Sequence, residues 1–308
     1  MLQNILLDTF VTGLPLIPLV LGVYLIMRIR EDFDLTVEGS FALGGGVSAI
    51  SAKAGINPAV AILLGALAGA VAGLITSVLH LALRIPVLLA GLVMSMALFS
   101  IVLNILGTPT ASLIGVTTIF SWLPPGDIYA SVELVVIVAA LLTLFALFLR
   151  TEIGLALRAS GQSARMVRSQ GVNDNGLLVL SLAIANALSA LSGGLLTQIQ
   201  GFADVNMGIG MFIAAVGAVM LGVLLLNPSG SKVLRIVLAV AIGGLVYRLI
   251  LVAALRFGLP AGDLKGVTAL TLIVAIAAQT YVVPMFTRMV RRGIRTPQFR
   301  TGEQQGAK

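Results

Sequence analysis

The chain has 308 residues, 58% of them hydrophobic and only 10% charged, with a mean hydropathy of +1.09 and a formal net charge of +7. Soluble domains carry about 25% charged residues, so this composition excludes a soluble globular domain and marks an integral membrane protein. The lack of cysteine excludes disulfides and thiolate metal sites, and the dispersal of basic residues among apolar runs argues against a nucleic-acid surface.

No basic stretch precedes the first apolar run, and Asp8 lies close to its start, so a cleaved leader is not expected. A first span is read over residues 9–27, long enough to cross ~30 Å of hydrocarbon. Pro15 and Pro18 are expected to kink it, and Arg28, Arg30, Glu31 and Asp32 end it. A second span, 36–52, opens on Asp34, Glu38 and the run Gly44-Gly45-Gly46. Carboxylates and irregular backbone survive at membrane depth only where protein or a water-filled cavity surrounds them. The two acids therefore either cap and solvate a helix start or line a gate on a solute route.

The third span, 59–81, carries Gly65, Gly69 and Gly73 at four-residue spacing. Such positions share one helix face and read as close packing against another backbone. His80, the sole histidine, fits an interfacial hydrogen bond better than a ligand. The fourth span is 87–106, with Asn104 a candidate on the solute route. In the connection to the fifth span, 130–149, Trp122 reads as an interfacial anchor, and the connection itself is a place where a soluble delivery protein would meet the chain.

Residues 150–176 form the only long polar segment between two strongly apolar ones. Leu155, Leu157, Met166 and Val167 supply apolar faces for two short helices, with Gly161 read as their divider. Gly171 sits where a left-handed turn would end the second, and Asn173 is placed to cap the next helix. On charge alone, this basic elbow is either an ordinary orientation-setting loop or a docking surface for a soluble partner.

The sixth span, 177–197, holds Asn186 and a small-residue face of Ala185, Ser189 and Gly193. The segment 198–210, with Asp204 and Asn206 before several glycines, then interrupts the apolar pattern and echoes residues 34–46. Paired interruptions point to a solute route between inverted repeats. Spans 211–226, 233–255 and 267–286 come next, then a basic tail, 287–308. Arg248 lies within the eighth span, where a charge costs ~3 kcal/mol. It is expected to pair with Asp204 or Glu133, or to bind a substrate carboxylate.

Glu152-x-Gly154, Leu157-Arg158-Ala159-Ser160-Gly161-Gln162 and Gly171-Val172-Asn173 resemble the coupling loop of ABC importer permeases, in particular those of the branched-chain amino-acid and ribose family. Asp34-Leu35-Thr36, Gly39-Ser40-Phe41, Leu43-Gly44 and the run from Leu92 to Ile101 are most similar to its branch for tryptophan or tyrosine uptake. The family often has arginine where this chain has Asn104, which removes any charged contact there. The resemblance implies an all-α, polytopic, type II-like permease fold of about nine transmembrane helices. It assigns the elbow residues Glu152, Gly154, Leu157, Arg158, Ala159, Gly161, Arg165 and Gly171 to contact with separate ABC ATPase subunits. Those subunits would use ATP and Mg, with no cofactor or metal held by this chain. An extracytoplasmic substrate-binding protein and a second permease copy, as a homodimer in the bacterial inner membrane, complete the expected partners.

Placing the elbow in the cytoplasm puts the N-terminus outside and the C-terminus inside. It leaves only Lys53, Arg256 and Lys265 on the exterior and Arg248 within a span. No phosphate-loop pattern follows a strand, so the chain is expected to lack its own ATPase site. An ion-coupled secondary transporter would need more ionisable groups at span centres than the sequence supplies. An intramembrane enzyme would need a catalytic constellation that one histidine and no cysteine do not provide.

Overall fold

Leu2–Gly13 (α1) and Ile17–Tyr24 (α2) form one apolar rod, broken where the prolines remove backbone donors. Between them Leu14–Leu16 tighten into a 3-10 turn, and after Tyr24 the chain widens into a π-turn, Leu25–Arg30, closed by Glu31 at φ 65°. The computed structural model describes residues 2–122, 127–226 and 233–282. The expected turn at 227–232, residues 123–126 with the Trp122 side chain, and the basic tail lie outside the described residues.

Six helices among the described residues are long and apolar enough to cross a membrane: Ile5–Arg30, Pro58–Leu83, Val87–Leu106, Ile128–Arg150, Asp174–Gln200 and Val233–Arg256. The first is longer than the 9–27 read from sequence. Arg28 and Arg30 look like a boundary, yet both stay helical, and Arg30 turns inward to a buried partner.

Thr36–Lys53 (α3) is the central element. It packs between Pro58–Leu83 (α4), Val87–Leu106 (α5) and Asp174–Gln200 (α9). Its glycine run is regular helix rather than irregular backbone. The glycines serve approach, not bending: a Cβ on Gly44 would overlap Ala190 O of α9, and one on Gly45 would lie 2.6 Å from Thr197 Oγ1. The glycines of α4 answer them. A Cβ on Gly65 would sit 2.8 Å from Gly44 O, and on Gly69 or Gly73 it would overlap carbonyls of Asn186 or Leu182. Gly69→Val is therefore expected to force α4 off α9. Overpacking of this kind costs ~1–3 kcal/mol, and the change is read as a lower thermal midpoint of the purified protein in detergent.

Beyond α5, Thr110–Ser112 (β1) pairs antiparallel with Phe202–Asp204 (β2), with Ala111 opposite Ala203. Alternation over three residues is too short to announce a strand, and no periodicity joins loops so far apart in sequence. Asp127–Arg150 (α6) leads to Glu152–Gln162 (α7) and Ala164–Ser169 (α8), which precede α9. Met211–Leu226 (α10), Val233–Arg256 (α11) and Leu264–Ala277 (α12) pack together, and α10 and α11 also pack on α2. One apolar core joins these elements with α6, and a second lies around α3 and α5.

Candidate functional site

The elbow is two capped helices. Thr151 accepts from Gly154 N at 3.2 Å to start α7, and Ser163 accepts from Met166 N at 3.3 Å to start α8. Ser163, not Gly161, divides them. Gly161 lies inside α7, and the position is kept bare because a Cβ there would overlap Ile29 O of the π-turn. Gly154 meets Phe148 O of α6 in the same way. Gly171 adopts φ 78°, the left-handed turn expected of it, and Asn173 accepts from Gly176 N at 3.1 Å to cap α9.

Leu157 and Val167 are buried beneath the elbow, whereas Glu152, Ile153, Leu155, Arg165 and Met166 are exposed on it. Arg158 and Ala159 are half-buried. Arg158 donates through Nε to Gly154 O and through Nη2 to Leu149 O at 3.1 Å, so it ties α7 to the end of α6.

A buried polar joint fastens the elbow to the bundle. Arg30 Nη1 donates to Asp174 Oδ1 at 2.6 Å and to Ser160 Oγ, while Ser160 Oγ also donates to Asp174 Oδ1. Arg30 Nε pairs with Asp32 Oδ2 at 3.3 Å. The side chains of Arg30 and Asp174 are each only 9% exposed. Three elements thus converge here: the end of the first crossing, α7 and the start of α9. Sequence reading gave Arg30 and Ser160 no part in such a joint. The one available signal was a serine among the apolar inward positions of α7.

Deeper in the bundle lies a second polar cluster. Asp34, 1% exposed, accepts from Thr36 N at 2.8 Å and from Asn186 Nδ2 at 2.7 Å. Asn186 Oδ1 accepts from Ser40 Oγ at 2.7 Å, and the Thr36 and Thr76 hydroxyls meet at 2.8 Å. Asp34 sits just ahead of the N-cap Leu35 and binds the first amide of α3, but protein rather than water surrounds it. One turn on, Glu38 Oε1 accepts from Gly210 N at 3.0 Å and Phe212 N at 3.3 Å. A Cβ on Gly208 would overlap Glu38 O. The two stretches read as echoes are therefore in contact, although they differ in form. Residues 36–53 are helix throughout, whereas Gly201 and Gly210, at φ 74° and 85°, bracket strand and turn. Beside Glu38 a cavity of about 250 Å³ is lined by Ser95, Met96, Phe99, Gly208 and Ile209.

The other polar candidates lie apart from this cavity. Asp204 accepts from Thr110 Oγ1 and Asn206 N, both at 2.7 Å, and holds the β-ribbon together; the Asn206 side chain is exposed. Asn104 is exposed on α5 and donates to Ser100 O at 2.8 Å. Arg248 pairs with neither Asp204 nor Glu133. Its Nε donates to Thr12 Oγ1 at 2.8 Å, and its Cβ packs on Gly13, because α11 lies against α1 and away from the β-ribbon that carries Asp204. Glu133 Oε2 has no hydrogen-bond partner among the described residues.

The model of the family described as branched-chain amino acid transport system, permease component, matches residues 5–278. The chain is 33% identical over 257 residues to the tyrosine transport system permease protein of Clostridioides difficile (strain R20291), covering 83% of this chain and 85% of that protein. It is 31% identical over 284 residues to an uncharacterised protein of Rickettsia prowazekii (strain Madrid E), covering 90% of this chain and 98% of the other. No solved structure matches it.

Proposed function

Because the chain belongs to the branched-chain amino-acid transport permease family, we propose that this multi-pass membrane protein is the permease subunit of a bacterial ABC importer for an amino acid. The six long apolar helices are joined by α3, α10 and α12 to make nine crossings of a type II-like fold. The N-terminus lies outside and the elbow inside, in the cytoplasmic membrane. Separate ATPase subunits bind ATP and Mg and dock on the exposed face of α7 and α8. An extracytoplasmic binding protein delivers the solute, and a second permease copy completes the route.

One observation carries this reading: the elbow is folded, capped and fastened through Arg30 and Asp174 to the ends of two crossings. A loop that only sets orientation needs none of that. A rigid elbow driven by an external motor passes its displacement to the first crossing and to α9. Asn186 on α9 then acts on Asp34, and Glu38 on α3 acts on the turn before α10. The cavity at Glu38 supplies a carboxylate for an ammonium group and Phe99 and Met96 for an apolar side chain, in keeping with an amino-acid cargo.

The test is co-purification with the ATPase. Arg165→Glu, at an exposed position on α8, is expected to weaken capture of the ATPase by tenfold or more while leaving the thermal midpoint unchanged. Undiminished capture would refute docking on this face. The fully buried Asp34 favours a second reading, an ion-coupled secondary transporter. Solute uptake by the purified chain in vesicles without any nucleotide-hydrolysing partner would select it.

A further inference from the structure

A cavity of about 430 Å³ lies between the π-turn and α7, at the end of the bundle that carries the elbow. Arg28 and Arg158 line it, with Tyr24 and Gln162, and Glu31 is its one carboxylate. Leu155 and Ile236 give it an apolar wall.

The two guanidinium groups are in different states. Arg158 is held in place by the carbonyls of Gly154 and Leu149, which orients its fork in advance. Arg28 is exposed and makes no hydrogen bond or ion pair with the described residues. Its neighbour Arg30 turns away to Asp174 instead.

The backbone that presents Arg28 is unusual twice over. The six-residue π-turn is a rare form that is frequent at functional positions. Glu31 sits at φ 65°, which a residue with a Cβ adopts only at a cost. Both distortions shape one wall of the same cavity. A wall of apolar side chains, an unpaired arginine and a pre-oriented one, at the end of the long apolar helix Ile5–Arg30, match an anionic headgroup with its acyl chains alongside.

We propose that this cavity binds a phosphate group, that of an anionic phospholipid such as phosphatidylglycerol, and that Arg28 and Arg158 share its charge. The site is separate from the solute cavity at Glu38 and does not depend on what the permease carries.

The experiment titrates the purified full-length chain in detergent with phosphatidylglycerol, phosphatidylcholine and inorganic phosphate, reading the thermal midpoint. Phosphatidylglycerol is expected to raise it saturably and phosphatidylcholine to leave it unchanged. Arg28→Gln should weaken the apparent affinity roughly fivefold, the effect of one basic residue at a membrane surface, without altering the midpoint of the lipid-free protein. Arg28→Lys should recover part of that loss. Glu31→Gln should tighten binding, a sign that a merely structural role for this loop would not produce. A response to phosphatidylglycerol that inorganic phosphate does not mimic assigns the site to the lipid; an equal response to inorganic phosphate keeps the site and assigns it to a soluble anion. Equal responses to the two lipids, or unchanged affinity in Arg28→Gln, would overturn the proposal.

Discussion

Arg30→Met is expected to lower the stability of the purified protein by ~3–5 kcal/mol, the usual result of stripping one member from a buried ion pair. The Asp174 carboxylate would keep Ser160 and its place at the start of α9 but lose its counter-charge, and both side chains are almost sealed from solvent. Arg168 cannot replace the loss: it stands 4.0 Å from Asp174 on an exposed side chain. Asp174→Leu should cost about as much. The double variant Arg30→Met with Asp174→Leu should regain most of the stability, since two apolar side chains leave no orphaned charge. A double-mutant cycle on the thermal midpoint reads the coupling. If the two losses simply add, the joint between elbow and bundle is not an energetic unit. Transport offers a separate readout. The double variant should fold yet import poorly, because α7 would rest on grease where it had been pinned by directional bonds.

Asn186→Leu is the second large effect. The substitution nearly conserves volume, but it removes the donor to Asp34 Oδ2 and the acceptor for Ser40 Oγ. A buried acceptor left without its donor costs ~1–3 kcal/mol, and more where it carries charge. Asp34 has nowhere to turn, since the packing of Gly91 against its Oδ1 and of Thr36 N on the same oxygen fixes the carboxylate. Folded yield and uptake are both expected to fall severely. Ser181→Ala is the control: buried on the same helix, it loses only a bond to Leu178 O and should change stability by less than ~1 kcal/mol, at the low end for a single hydrogen bond. Equal, small effects from the two substitutions would show that the Asp34 cluster is dispensable.

Most span positions were legible because hydrocarbon imposes length and apolarity on any helix that crosses it. The helix bounds of α5, Val87–Leu106, and of α10, Met211–Leu226, coincide with the stretches read from the sequence. The cap Asn173 was legible too, since it satisfies a donor on its own next turn; Thr151 and Ser163 cap by the same local rule, but neither was read from the sequence. Arg248 misled for an instructive reason. A charge in an apolar run announces that it needs a partner, but not which one, and a threonine hydroxyl on α1 sufficed. Gly161 misled because glycine is read as a breaker in a linear sequence. Here it is a contact point, kept bare for the carbonyl of Ile29.

Composition and periodicity alone determined that this protein lives in lipid, where its helices run and that a basic folded elbow divides them, for these depend on the solvent and on neighbours within a few residues along the chain. Only tertiary structure decided that Arg30 turns to Asp174 rather than to water, that Asn186 meets Asp34, and that Glu38 closes on the turn before α10. Those contacts join residues separated by 144, 152 and 172 positions. They exist because glycine-lined helices approach closely enough for short polar side chains to touch, a condition set by packing in three dimensions that no local pattern encodes.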